Sequence, residues 1–99
     1  MTPARLKLLR FLRDQGPQRG REIAKAMWPD SPKWRVHYNC GPKGSHVGGA
    51  MYQAGGAFAG RVARATGWVS YRGYERGWAI TDEGYAALNA HEPREEAKP

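Results

Sequence analysis

The stretch from Thr66 to Leu88 constrains the fold most strongly, because it predicts three different elements in close succession. Side chains alternate from Trp68 to Tyr71, a glycine-bounded turn follows, and a second run of apolar residues covers Trp78 to Ile80. This pattern predicts a β-hairpin. Thr81, which is followed by two acidic residues, predicts the start of a last helix, since threonine caps helices and acids favour the positive end of the helix dipole.

Two short helices are predicted before residue 29. The first begins at Thr2, because threonine caps helices and the proline that follows suits the first helical position, and it ends at Gly16. The second spans about Gly20 to Trp28 and stops before Pro29, because proline disfavours helical geometry in the residue before it. The expected inner faces are Leu6, Leu9, Phe11 and Leu12 in the first helix, and Ile23, Ala24 and Met27 in the second.

A third helix is predicted from Gly48 to Thr66. Gly55 and Gly56 each cost about 1 kcal/mol relative to alanine in a helix interior. They indicate either close approach by another backbone, another helix or a ligand, or a kink or packing contact. One apolar stripe at helical spacing is formed by Met51, Ala54, Phe58, Val62 and Ala65. The residues expected to face outward are Tyr52, Gln53, Gly56, Gly60, Arg61 and Arg64.

The charge is strongly basic, with 16 Lys and Arg against 9 Asp and Glu and a net charge of +7. Residues 1–91 carry 14 basic and 6 acidic side chains (+8), and residues 92–99 carry 2 and 3 (−1), so the positive charge belongs to the predicted domain. The tail 92–99 has no apolar pattern and is predicted to be disordered. A polyanion is the expected partner, and nucleic acid is the commonest one. Eleven of the 16 basic residues are arginine, which suits bidentate phosphate or guanine recognition, although a GC-rich coding genome also enriches arginine.

Residues 29–47 are predicted to form a long loop between the second and third helices, because they contain three prolines. Trp34, Val36 and Tyr38 alternate within it, and they predict a brief extended segment or a loop pinned to the core. The loop is basic on balance through Lys33, Arg35 and Lys43.

The same loop holds His37, Cys40 and His46, which are potential zinc ligands. Zinc sites usually have four ligands and only three are local, although Asp30 can in principle join them, so we expect no metal and no cofactor. Cys40 lacks the setting of a catalytic nucleophile, and phosphate-binding loops and paired-carboxylate sites are absent from the sequence, so no enzymatic activity is expected.

A single cysteine suits a reducing compartment, and no run approaches the ~20 apolar residues of a membrane span. A cytoplasmic protein is predicted.

The order helix, helix, helix, hairpin, helix resembles that of winged helix-turn-helix domains. Gly67-Trp68-Val69 and Trp78-Ala79-Ile80-Thr81-Asp82-Glu83-Gly84 resemble the wing of MarR-like and PadR-like bacterial regulators, and residues 21–27 resemble their second helix. The resemblance covers about residues 3–90. It implies an α+β winged-helix fold with a three-helix core, a two-stranded wing and a C-terminal helix. Two features depart from it: the long segment 29–47 replaces a turn of about 3–4 residues, and the long dimerising terminal helices are missing.

The resemblance also implies a double-stranded DNA-binding protein, a bacterial or phage transcriptional regulator. Its third helix would lie in the major groove, where Gln53 reads adenine and Arg61 and Arg64 hold phosphates. The wing would follow the minor groove or the backbone. The expected DNA-binding residues are Tyr52, Gln53, Gly56, Arg61, Arg64, Arg72, Tyr74, Arg76, Lys33, Arg35 and Lys43.

Three alternatives stay open at this point. Trp68 and Trp78 can stack on bases, but core positions are favoured in so small a domain. A homodimer on a two-fold site is compatible with a single domain of this size. The fold also serves as a protein–protein interaction module, here through the aromatic loop 29–47, and the two functions differ in whether the arginines of the third helix and the wing share one face.

Overall fold

The structure, a computed structural model, describes residues 1–31 and 45–91, and only the backbone of residues 45–50. In this part of the chain it is α+β, with four helices and one two-stranded antiparallel sheet. The elements are α1 (Pro3–Gln15), α2 (Gly20–Met27), α3 (Ser45–Thr66), β1 (Val69–Tyr71), β2 (Trp78–Ile80) and α4 (Asp82–His91). The predicted order of three helices, hairpin and helix is therefore confirmed, and it is compatible with a winged-helix layout. Residues 32–44 and 92–99, which include most of the predicted loop and the predicted tail, lie outside the described residues.

Helix boundaries follow from local chemistry, as predicted. The Thr2 hydroxyl accepts a hydrogen bond from the Arg5 backbone N–H at 3.1 Å, and α1 ends at Gly16, whose φ of 78° suits glycine. Thr81 has two partners: its hydroxyl accepts from the Gly84 N–H at 3.1 Å and donates to the Gly67 carbonyl at 2.7 Å. Thr81 therefore starts α4 and also ties it to the end of α3.

The hairpin is held on both edges of β2. Along one edge, β1 pairs with it in the register Val69↔Ile80, Ser70↔Ala79 and Tyr71↔Trp78. Along the other edge, Gln18 and Trp78 exchange two backbone hydrogen bonds, at 2.9 and 2.7 Å. The link between α1 and α2 thus acts as a one-residue third strand, which fixes the hairpin to the front of α2.

The core lies between the helices and the inner side of the hairpin. Leu8 belongs to it although the sequence analysis did not include it, whereas Leu6 and Phe11 are only partly buried at its margin. Trp68 and Trp78 are half-buried and pack against the core, which agrees with the favoured interpretation. The buried cluster comprises Leu8, Leu9, Leu12, Ile23, Met27, Ala59, Val62, Val69 and Leu88.

The predicted phase of α3 is partly wrong. The helix begins at Ser45, before the predicted start at Gly48, so residues 45–47 are helical and do not belong to a loop. Of the predicted stripe, Ala65 is exposed and Ala54 and Phe58 are half-buried. The side of α3 that is buried instead carries Met51, Gly55, Ala59, Gly60 and Val62.

Glycine contacts between α2 and α3 explain this shift. A Cβ on Gly20 would lie 2.8 Å from the Tyr52 carbonyl oxygen, and a Cβ on Gly55 would overlap the Gly20 carbonyl oxygen. The two backbones can approach this closely only because both residues lack side chains. Gly55 therefore marks close approach by another helix, one of the two interpretations that the sequence leaves open, and the buried side of α3 turns toward its small residues.

No helix in the described ranges is both long enough and apolar enough to cross a membrane.

Candidate nucleic-acid interface

Five residues of α3 are exposed among those whose side chains the structure describes: Gln53, Ala57, Arg61, Arg64 and Ala65. The guanidinium carbon of Arg61 lies 5.9 Å from the centre of the Phe58 ring. Toward the wing, Tyr52 and Gly56 are half-buried. The predicted DNA contacts of α3 that are exposed are therefore one amide group and two guanidinium groups. The rest of the exposed surface of the helix is formed by small residues.

The wing lies directly on α3 because two glycines leave room for it. The Trp78 ring is 3.9 Å from the Cβ position at Gly56 and 3.5 Å from the Cβ position at Gly60. Gly60 is therefore buried, and its predicted outward orientation is wrong. An Arg64 guanidinium nitrogen lies 3.4 Å from the same Cβ position at Gly60, so this arginine lies beside the wing tryptophan.

The turn of the wing exposes Arg72, Tyr74 and Arg76, as predicted. Its two glycines have the positive φ values of 103° (Gly73) and 76° (Gly77) that a tight turn needs. The turn is closed by a 2.6 Å hydrogen bond from the Arg72 N–H to the Gly77 carbonyl and a 2.7 Å bond from the Gly77 N–H to the Gly73 carbonyl. The two arginines thus project from a well-defined turn.

Two further arginines, which were not among the predicted site residues, join the wing and α3 to the beginning of α2. The guanidinium carbon of Arg19 lies 4.5 Å from the centre of the Tyr74 ring, and that of Arg21 lies 5.3 Å from the centre of the Tyr52 ring. Both are exposed. A guanidinium group stacked on a ring keeps its in-plane N–H groups available for phosphate. Their position at the start of a predicted helix, where anions are favoured, was the available signal.

These contacts join Arg19 to the wing, Arg21 to α3 and Arg64 to the wing tryptophan. Together with three further exposed arginines of α3 and the wing they form what we call the basic face: Arg19, Arg21, Arg61, Arg64, Arg72 and Arg76. Within the described residues, no ion pair involves Arg61, Arg64, Arg72 or Arg76. Arg21 lies 3.6 Å from Glu22, an exposed pair of a kind that contributes little to stability. Two acidic residues, Glu22 and Glu75, border the face. They line an open depression between the α1–α2 link and the wing turn, together with Pro17, Gln18, Arg19 and Arg76.

Lys33, Arg35 and Lys43 lie outside the described residues, as do His37, Cys40 and the aromatic residues 34 and 38. The part of the chain that the structure describes contains no group of three or more His, Cys, Asp or Glu side chains arranged to hold a metal ion.

Comparison with models of protein families, with curated proteins and with solved structures finds no match to this chain.

Proposed function

We propose that this protein is a winged-helix domain that binds double-stranded DNA and acts as a bacterial or phage transcriptional regulator. The observation that carries the proposal is the basic face, three of whose arginines contact a neighbouring element: Arg19 stacks on Tyr74 of the wing, Arg21 stacks on Tyr52 of α3, and Arg64 lies beside Trp78 of the wing. A DNA backbone offers regularly spaced phosphates, and arginine binds phosphate with two parallel hydrogen bonds.

The shape of α3 supports insertion into the major groove. The groove is about 12 Å wide and admits a helix, and α3 is 22 residues long. In its middle the exposed side chains are those of Gln53 and Ala57, and neither is large enough to hold this part of the helix away from base edges. Gln53 would pair with adenine, and Arg61 and Arg64 would bind phosphates. In this arrangement the wing follows the flanking backbone, and Arg19 and Arg21 reach the phosphates beside α2.

The alternative function, a protein-interaction module, depends on residues 29–47, of which 32–44 lie outside the described residues. The contacts that join Arg19, Arg21 and Arg64 to neighbouring elements favour DNA, since arginines scattered over the domain would favour the alternative. A cytoplasmic location and binding as a homodimer on a two-fold site are parts of the proposal that follow from the regulator role.

Removing the two arginines of α3 should weaken DNA binding and its salt dependence together. We expect Arg61→Ala combined with Arg64→Ala to lower the affinity for duplex DNA about tenfold at ~0.1 M salt and to reduce the salt slope by about two, one per lost phosphate contact. Fluorescence anisotropy of a labelled duplex over a salt series measures both. The matched control is Arg5→Ala with Arg13→Ala on α1, which removes the same charge outside the basic face and should reduce the slope by less than half as much. Equal effects of the two pairs would mean that net charge alone drives binding.

Removing an acidic residue at the edge of the face should have the opposite effect. Glu75 lies in the wing turn and shares its depression with Arg19 and Arg76, so its carboxylate repels a phosphate bound there. We expect Glu75→Gln to tighten duplex binding about threefold at low salt, because one exposed charge at short range contributes up to about 1 kcal/mol. Glu83→Gln on α4 is the control and should leave the affinity unchanged. Weaker binding by the Glu75 variant would place the DNA elsewhere.

A further inference from the structure

Two exposed tyrosines on the wing are not explained by the core. Among the described residues, the large apolar or aromatic side chains that are exposed are Met1, Tyr71, Tyr74 and Tyr85. Tyr71 is 57% exposed and Tyr74 is 75% exposed, and both belong to the hairpin, whereas Tyr85 lies on α4. A single exposed aromatic residue is ordinary, but two on one short hairpin that also carries two arginines form a distinct surface.

Contacts hold both rings in place while leaving them accessible. The Tyr71 ring lies with its centre 5.0 Å from that of Trp78, tilted by 55°, and Trp78 is itself fixed on α3. Arg19 covers one face of the Tyr74 ring at 4.5 Å. Because Tyr74 is nevertheless 75% exposed, its other face is open. The hairpin therefore offers two positioned aromatic rings, one of them in contact with Arg19, and it also carries the exposed Arg72 and Arg76.

We infer that the wing has a second binding mode, in which it holds unpaired bases of a single-stranded nucleic acid. The bases stack on Tyr71 and Tyr74, and the phosphates between them contact the neighbouring arginines. Aromatic rings combined with positive charge are the usual means of binding single strands, and each stacked base strengthens binding roughly five- to 150-fold. In a duplex the faces of the bases are covered by their neighbours, so duplex DNA cannot use the rings in this way. The inference thus goes beyond duplex binding and does not depend on α3.

The charge of this surface determines which class of ligand can bind to it. Arg19 contacts the Tyr74 ring, and Arg72 and Arg76 are exposed on the same hairpin. Glu22 and Glu75 are the acidic residues in the adjoining depression, so the balance of charge stays positive and the partner is an anion with flat aromatic groups at short intervals. A single strand of DNA or of RNA meets this description equally well. Oligonucleotides of both kinds distinguish DNA from RNA as the ligand.

The test measures anisotropy of fluorescein-labelled oligonucleotides of about 12 nucleotides at ~50 mM salt, where phosphate contacts are strong. Oligothymidylate, oligouridylate and an abasic strand of the same length are compared. We expect micromolar binding of at least one of the first two, and at least tenfold weaker binding of the abasic strand, which has the phosphates but no bases. The preferred strand identifies DNA or RNA as the source. Binding of all three strands with equal affinity would overturn the inference, as would no binding at all.

Variants of the tyrosines complete the test. Tyr71→Ala with Tyr74→Ala should weaken binding of the preferred strand at least tenfold. Tyr71→Ala alone, at a residue outside the expected duplex contacts, should weaken strand binding about fivefold or more and change duplex binding less than threefold, since phosphate contacts dominate there. Tyr71→Phe with Tyr74→Phe keeps the rings and should bind like the wild type, while Tyr85→Ala is the matched control on α4. If circular dichroism shows that the alanine pair does not fold, the inference is still tested by the binding of the abasic strand to the wild-type protein and by strand binding of the phenylalanine pair. Duplex binding without tyrosine-dependent strand binding would refute only this inference, and the reverse result would refute only the proposed function.

Discussion

Replacing Gly55 by alanine is expected to lower the free energy of unfolding by about 3 kcal/mol, the upper end of the usual cost of overpacking. The added methyl group would overlap the Gly20 carbonyl oxygen and lie 2.9 Å from the Ala24 backbone nitrogen. Both neighbours are main-chain atoms of α2, so they cannot move aside as a flexible side chain would. The helices must separate, and α3 must shift relative to the core.

The adjacent glycine provides a matched control. The closest atom to a Cβ on Gly56 is the Trp78 Nε1 at 3.9 Å, an ordinary contact. Gly56→Ala should therefore stabilise the domain by about 0.5–1 kcal/mol, the gain in helix propensity, which both variants share. Thermal unfolding followed by circular dichroism should show a drop of about 12–24 °C for the Gly55 variant and a small rise for the Gly56 variant. Equal melting temperatures would mean that α2 and α3 do not meet at Gly55.

Replacing Gly77 by alanine is expected to detach the wing from the α1–α2 link. Gly77 has a φ of 76°, which costs about 1–2 kcal/mol for a residue with a Cβ, and that Cβ would overlap the Gln18 carbonyl oxygen. The same oxygen accepts the 2.7 Å hydrogen bond from the Trp78 N–H, so relief of the overlap breaks the bridge to β2. We expect the free energy of unfolding to fall by about 3 kcal/mol, as strain and overlap add.

Gly73→Ala distinguishes the effect of backbone strain from the effect of steric overlap. Gly73 also has a positive φ, 103°, but no atom lies within 4 Å of its Cβ position, so its variant should lose only about 1–2 kcal/mol. The two variants should also differ in duplex binding under conditions where both are folded. A displaced wing loses its arginine contacts, so we expect the Gly77 variant to bind about tenfold more weakly, with a shallower salt slope, and the Gly73 variant to stay within about threefold. Unchanged binding by the Gly77 variant would remove the wing from the interface.

Elements with local signals were predictable from the sequence, and contacts between elements were not. Thr2, Gly16 and Thr81 act through hydrogen bonds or backbone angles within a few residues, so both ends of α1 and the beginning of α4 follow from them. The approach of α2 to α3 depends on Gly20 meeting Gly55 in space. A helix phase predicted from the spacing of apolar side chains gives most weight to large residues and none to glycine. The predicted phase of α3 was therefore partly wrong.

The candidate site shows the same division. Gln53, Arg61, Arg64, Arg72, Tyr74 and Arg76 were predicted from their place on α3 or the wing turn, and all of them are exposed. Arg19 and Arg21 were missed, because their importance comes from the rings of Tyr74 and Tyr52, which are distant in sequence. The pairing of Gln18 with Trp78 leaves no trace in the sequence either, since a strand of one residue has no alternation.

The most direct test of the central claim, that the basic face binds duplex DNA, is anisotropy of a labelled random duplex of about 25 base pairs titrated with the wild-type protein from ~50 to ~200 mM salt. We predict micromolar binding at the lowest salt and a logarithmic slope of about −3 to −5, as expected when several of the six arginines of the basic face each displace a counterion. Absence of binding at ~50 mM salt, or binding that hardly changes over the series, would contradict the claim, since contacts to phosphate must weaken as salt rises.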